Sequence, residues 1–501
     1  MKQPFGEYAP DAPPDISIVV GGKNVFVRPA GSYGPMTSFA ASITAITSRA
    51  QGAFYSIDTS ANTAVWCGDA TKLYRLAGAS TSFSDVSKAG GYTTGTNEFW
   101  NFMQFGNRVI ATNFTQPIQQ YQFGVSSLFS DLSATAPKAR VIQPVANFVF
   151  TANTSDGTFG AQPNRCWWSA INDPTNWPTP ATSAAAAVQS GFTDLSGNGG
   201  FIQAVAPRVG ALDAIIIQER QLVRCQYVGS PEVFSFQPLE NAQGTPAPQS
   251  VAVHGGIAYY LGDDGFYACD GSQSLPIGAG KVDKFFYQDL NQAFTYRVQG
   301  VYDPINRLYI VGYPSTGSGS GNIDRLLIYS TVAQKWAPPT EVSLEFLCRL
   351  GSVGYTLEQL DGFGTMETLP ASLDSRLWVG SGKPLLAAFD TLHRQGGFTG
   401  TALECSLETG DLDSGNGSRF ITQGVRPDIS GISAGITCSI GYRETKNATV
   451  SYTAPTALQR NLVAPARITA RHPRVKVNIA AGANWTHATG FDLLANIMGD
   501  K

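Results

Sequence analysis

The chain has 501 residues, well past the size at which a single core stops growing, so it holds two or more domains or one large repetitive one. Only 14% of its residues are charged, against about 25% in an average soluble protein, while 53 glycines and 29 prolines supply turns; this favours many short strands over long helices. An 11% aromatic content excludes a disordered chain, and 34 basic against 37 acidic residues (net charge −3) exclude a general nucleic-acid binder.

At the N-terminus, "MKQPFGEYAPDAPPD" has no apolar h-region and no cleavage site, so no secretion signal is expected. No stretch reaches the ~18 consecutive apolar residues of a membrane span. "ISIVV" (16–20) and "NVFVRP" (24–29) read as strands in a segment, residues 1–40, expected to pack with the far end of the chain. Residues 41–400 carry a ragged repeat. "AVWCGDATKLYRLAG" (64–78) runs apolar strand, polar turn, alternating strand and glycine. "AIIIQERQLVRCQYVG" (214–229) and "IAYYLGDDGFYACDG" (257–271) do the same, the segment at 307–336 does it with a longer loop, and those at 107–123 and 147–171 are looser versions. With Leu73, Ile118, Trp167, Leu222, Phe266 and Leu327 as equivalent points, the gaps are 45, 49, 55, 44 and 61 residues. A propeller blade takes about 40–50 residues. One such sheet cannot bury both faces alone, and radial stacking of several buries them. The repeat therefore predicts a β-propeller-like domain, with an array of β-sandwiches as the rival.

Helix is expected to be scarce. "DKFFYQDLNQAF" (283–294) is the best candidate, with Asp283 as N-cap and Phe286, Leu290 and Phe294 on one face. "SAAAAVQS" (183–190) reads equally as a short helix or a loop, and "STGSGSGN" (315–322) as a flexible hairpin tip.

The chemical candidates resolve into structure. "LGDDGFYACDGSQSLPIG" (261–278) holds three aspartates, but a calcium loop starting at Asp263 would need oxygen ligands where Gly265 and Tyr267 stand. Asp264-Gly265 reads as a two-residue hairpin turn instead. "DLDSGNG" (411–417) fails the calcium spacing at Gly415 and Asn416. In "GAGKVD" (278–283) the phosphate-loop pattern lacks its first glycine, at Leu275, and its hydroxyl, at Val282. His254, His393, His472 and His487 are too scattered for a metal cluster, and the seven cysteines show no CxxC pair and read as buried thiols of a reducing compartment. "RCWWSAINDPTNW" (165–177) offers either core tryptophans or a sugar platform. No catalytic, metal or cofactor residues are expected.

After residue 400 come alternating strands such as "GITCSIGYR" (435–443) and "PRVKVNIA" (473–480), which predict a C-terminal β-sandwich over 401–501. This domain carries acidic residues Glu404, Glu408, Asp411 and Asp413 and basic residues Arg467, Arg471, Arg474 and Lys476. Two solvated surfaces are the bland reading. In a cyclic ring, opposite charges presented to two neighbours would instead set the register of a head-to-tail contact, or the basic strand would dock on an adaptor ring.

Several segments together resemble the tail hub, or nozzle, of short-tailed bacteriophages, also called the packaged-DNA stabilisation protein. They are "PFGEYAPD", "TKLYRL", "NRVIATN", "WWSAINDPTNW", "GDDGFYACDGSQSLPIGAGKVDKFF", "PASLDSRLW", "KPLLAAFD" and "ANWTHATGFD", from Pro4 to Asp492. The resemblance implies a structural virion protein in a ring, commonly of six copies, below the portal and its adaptor. It would be assembled in host cytoplasm, offer outer surfaces to fibres or spikes, and conduct genomic DNA without sequence-specific contacts. It implies a β-propeller with additional β domains and no catalytic residues. A near-neutral chain suits a conduit, because a strongly basic lining would hold passing phosphates. The alternative is a carbohydrate-binding or glycosidase-like β-propeller, with the tryptophans as platform and an acid pair as catalyst.

Overall fold

The computed structural model describes residues 1–501 except 61, 79, 240–241, 352–359, 361–363, 370–371, 374–383, 416, 432–434 and 499–501. Most of "PASLDSRLW" and Asn416 of the acidic loop thus lie outside the described residues. The fold is all-β with little helix: strands make up 48% of the chain and helices 5%.

Residues 52–276 form five consecutive four-stranded antiparallel sheets. Their innermost strands, Gly52–Ile57, Asn101–Phe105, Lys138–Val145, Ile202–Pro207 and Ala252–His254, lie side by side in that order. A sixth sheet of seven strands follows, and it is two blades joined by one strand. The 17-residue strand Lys335–Gly351 pairs first with Ile323–Ser330, as the outer strand of blade six. It then pairs from Leu344 onward with Pro384–Asp390, as the inner strand of blade seven. A register shift between Leu344 and Phe346 marks the transition. Blade seven continues through Gln395–Gly397 and is completed by Ala40–Ala41 from the other end of the chain. Its inner strand packs beside Gly52–Ile57, so among the described residues seven blades close a ring.

The reason for closure is visible in the strand pattern. Each second strand is apolar on both sides, and alternate residues feed different cores. In "AIIIQ", Ala214 and Ile216 enter the core shared with blade three, while Ile215 and Ile217 enter the core shared with blade five. Val65 and Cys67 face blade seven's Phe346, Cys348 and Leu350, and Ala64 and Trp66 face blade two. A single blade would leave both faces wet. The six repeat points chosen from the sequence all fall at the third strand of a blade: Leu73, Trp167, Leu222, Phe266 and Leu327 within it, and Ile118 immediately before it.

The sandwich is made by both ends of the chain. One sheet runs Val25–Val27, Tyr33–Pro35, His487–Ile497, Phe420–Ser430 and Ala464–Ala470, with Lys2–Pro4 also on His487–Ile497. The other runs Val19–Lys23, Cys405–Thr409, His472–Ile479, Ile436–Arg443 and Ser451–Tyr452, with Thr456–Ala457 also on Ile436–Arg443. Its core is continuous with that of blades five and six.

Three local expectations need correction. The helix covers only Asp283–Asp289, and a separate 3-10 segment, Gln292–Arg297, follows. Asp283 is its first residue and does not cap it. The capping carboxylate is Asp11, which accepts from the N–H groups of Lys284 (2.7 Å) and Phe285 (2.9 Å), the two donors an N-cap side chain would otherwise serve. The hairpin of the aspartate-rich stretch turns on Asp263-Asp264, closed by the Gly262 N–H to the Gly265 carbonyl (2.7 Å). The loop 315–322 is tied down rather than loose: Asp324 accepts from the Ser315 N–H and hydroxyl (2.6 Å each), and Asn291 and Arg297 donate to the Ser318 and Ser320 carbonyls (3.0 Å each).

Candidate subunit interface and axial cavity

The eight charged residues singled out in the C-terminal domain do not form two separate surfaces. Cys405–Thr409 and His472–Ile479 are neighbours in one sheet, with Glu408 directly opposite Lys476. Arg474 reaches Glu408 Oε1 at 3.1 Å and Asp411 Oδ1 at 2.7 Å, and its side chain is only 9% exposed. Arg443, which no local pattern singles out, holds the other oxygen of Asp411. Lys476 lies 3.9 Å from Glu408 and 5.4 Å from the centre of the Tyr452 ring, whose hydroxyl donates to Glu408. Burial works against the Arg474 charge, but the bonds from Asp411 and Glu408 outweigh it and raise its pKa above the ordinary arginine value. Arg474, Glu408 and Asp411 are thus engaged within the subunit.

The remaining members face outward. Asp413 pairs with Lys446 at 2.8 Å, which lowers its pKa, and Arg471 lies 3.9 Å from Glu444. Arg467 is exposed on the sheet-edge strand Ala464–Ala470, and Glu404 is exposed beside the start of Cys405–Thr409.

The tryptophans form no platform. Trp167 and Trp177 are buried between blades two and three, and Trp168 between blades three and four. Asp270 accepts from the N–H groups of Ser272 (2.8 Å) and Gln273 (2.9 Å), and Asp264 from the Tyr267 hydroxyl (2.8 Å), so these carboxylates serve turns. Lys281 of the phosphate-loop-like stretch pairs with Glu7 at 3.1 Å. All seven cysteines are buried free thiols. Among the described residues no group of three His, Cys, Asp or Glu side chains could hold a metal ion, and no helix is long and apolar enough to cross a membrane.

A concavity on the propeller axis was not anticipated. The inner strands surround an axial cavity of about 930 Å³, lined by residues of blades two to seven. Its charged lining includes Arg140, held to Glu98 at 2.7 Å, together with Arg208 and Arg349. His254 lines the same cavity and stacks on Tyr302, with ring centroids 4.0 Å apart and planes 13° apart. These groups come from separate blades, so no local motif announces them.

No family model matches the chain, and no curated protein matches it. Among solved structures, it is similar to the computationally designed Ika8 protein, with 8% identity, a TM-score of 0.33 and coverage of 68% of this chain and 90% of that one. A functionally unknown protein from Desulfotomaculum acetoxidans DSM 771 gives 11% identity, a TM-score of 0.33 and coverage of 60% and 84% respectively. Likeness at that level carries no argument about function.

Proposed function

We propose that this protein is a structural subunit of a tail hub or nozzle ring of a short-tailed bacteriophage, extending the portal and adaptor channel, retaining packaged DNA and conducting it during ejection. The reading is supported by one joint in particular. "PFGEYAPD" and "GDDGFYACDGSQSLPIGAGKVDKFF", two segments that carry the resemblance, meet where sandwich and propeller join. Glu7 accepts from Lys281 (3.1 Å) and from the Trp336 N–H (3.2 Å), and Tyr8 packs edge-on against Phe285 at 5.8 Å. Phe5, on the sandwich side, packs against Tyr33 and Phe491. Such a joint fixes the two lobes relative to each other, which a closed ring of identical subunits requires.

Exposed Arg467, Arg471 and Glu404, together with the Asp413 loop, are charges that the sandwich turns outward, toward a neighbouring subunit or the adaptor. Single exposed pairs contribute only ~0–1 kcal/mol, so they would set register while apolar contacts hold the ring. The test is mass photometry of the purified chain together with electron microscopy of labelled virions. A ring, commonly of six 53.3 kDa subunits, and label at the particle's tail are expected. Reversing Arg467 and Arg471 to Glu should impair ring formation or docking and leave the subunit folded. A strictly monomeric protein absent from virions overturns the reading. Polysaccharide hydrolysis abolished by replacing one acidic residue would favour the glycosidase-like propeller instead.

A further inference from the structure

We propose that the seam between the N-terminal loop, residues 10–18, and the propeller is a pH-sensitive fastening: Asp11 holds the start of the helix Asp283–Asp289 firmly while Asp283 keeps its proton, and loosely once Asp283 is ionised. This does not rest on the tail-hub reading.

The geometry of the seam puts the two groups together. The loop leaves the sandwich through a neck in which the Ala9 N–H donates to the Val19 carbonyl and the Val19 N–H to the Glu7 carbonyl, both at 2.9 Å. Beyond that neck Asp11 reaches across to the propeller. Its N–H donates to the Lys281 carbonyl (3.1 Å), and its carboxylate accepts from the N–H groups of Lys284 (2.7 Å) and Phe285 (2.9 Å). Asp283 belongs to the same first turn, but its carboxyl turns the other way, between Gly265 and Gly278, and accepts from the Phe266 N–H (3.2 Å). One turn of helix therefore carries two carboxyls, one from each lobe.

The surroundings of Asp283 oppose its charge. From the loop Asp11 faces it, from the hairpin Asp264 and Tyr267, and from its own helix Tyr287. Lys281 is held by Glu7 at 3.1 Å, Lys284 is exposed, and Asp289 at the far end of the helix accepts from the Tyr313 hydroxyl (2.9 Å). Burial first, and then the charges of Asp11 and Asp264, raise the Asp283 pKa from 3.8 to about 6. The glycine socket belongs wholly to the propeller and stays when the loop lifts, whereas the Asp11 charge departs with the loop. Asp283 thus holds its proton more tightly with the loop docked than with it lifted. By linkage, docking gains from that proton in full at low pH, and the gain is lost as pH rises through about 6. Glu7 with Lys281, and Tyr8 with Phe285, hold the lobes together at either pH, so what loosens is the loop.

The experiment is hydrogen–deuterium exchange of the full chain at pH 5 and pH 7.5, corrected for the intrinsic pH dependence of exchange. The amides of Asp11, Lys284 and Phe285 report the seam, and those of the blade-four strand Ala214–Gln218 serve as reference. At both pH values the seam should exchange faster than the reference, because the loop opens on its own. Its protection should fall by about threefold or more from pH 5 to pH 7.5. Asp283→Asn still accepts from Phe266 and has no charge, so it should keep the pH 5 level of seam protection at both values. Asp11→Ala removes the anchor and should give the same low protection at both. The proposal is overturned if seam protection is equal at the two pH values in the unaltered protein, or if either variant keeps the difference between them. It is equally overturned if the seam exchanges no faster than the reference, opening only with the whole molecule.

Discussion

Asp283 occupies a socket between two glycines. A Cβ at Gly265 would come within 2.2 Å of its carboxylate, and one at Gly278 within 1.9 Å, so a side chain at either position would displace it. Burial, offset in part by the Phe266 N–H and reinforced by nearby Asp11 and Asp264, raises its pKa from 3.8 to about 6. A carboxyl whose folded pKa lies above its unfolded value contributes stability that is whole below pH ~4 and is lost as pH rises through ~6. Asp283→Asn keeps an acceptor for Phe266 and has no charge to bury. It should therefore be more stable than the unaltered protein at pH 7, by about 1–2 kcal/mol after allowing for partial exposure, and show no such gain at pH 4. Urea midpoints at the two pH values check this. The sequence pointed to Asp283 as the helix cap because the local spacing allows it. The actual cap, Asp11, stands 273 residues before Lys284, and no local pattern could nominate it. The same limit applies to Arg474: its alternation with Lys476 placed both on one face, but that its partners were Glu408 and Asp411 depended on which strand lay alongside.

The strand Lys335–Gly351 shows what a repeat can and cannot reveal. Six blades were legible because each devotes a consecutive stretch to the same order of strand, turn, strand and glycine. The seventh was not, since its inner strand is the tail of blade six, its third is only Gln395–Gly397, and its fourth, Ala40–Ala41, comes from before blade one. No period survives that division. Trp336 anchors the start of this strand: it is fully buried, packs against Phe266 and Tyr329 with ring centroids 4.9 Å from each, and donates from Nε1 to the Ile277 carbonyl at 2.9 Å. Trp336→Ala should cost about 3–5 kcal/mol. Trp336→Phe keeps a ring but leaves that carbonyl without its donor, and should cost about 1–3 kcal/mol. Chemical denaturation of both variants, read by the remaining tryptophan fluorescence, separates ring packing from the hydrogen bond.

At the scale of the molecule, the sandwich and propeller share one apolar core, in which Val19, Val25 and Val27 lie with Val475, Val477 and Leu493. Removing residues 1–35 would strip strands from both sandwich sheets and uncover that core. Such a chain should aggregate or bind an apolar dye strongly, whereas the full chain should not; equal dye binding would show that the far strands fold without their partners. The compositional bias toward short strands and the alternation after residue 400 made both β domains readable in advance. How the two ends interleave was less so, because pairing between strands about 355 residues apart or more leaves no mark on either segment alone.

That interleaving sets a schedule for the molecule as it leaves the ribosome. Val19–Lys23 finds its neighbour only when Cys405–Thr409 has emerged, and Ala40–Ala41 waits for Gln395–Gly397. The five independent blades can assemble in passing, but the ring cannot close, nor the sandwich form, until most of the chain has been translated. The surfaces of the sandwich therefore come into being last, and a nascent or prematurely terminated chain has no finished face with which to capture a partner.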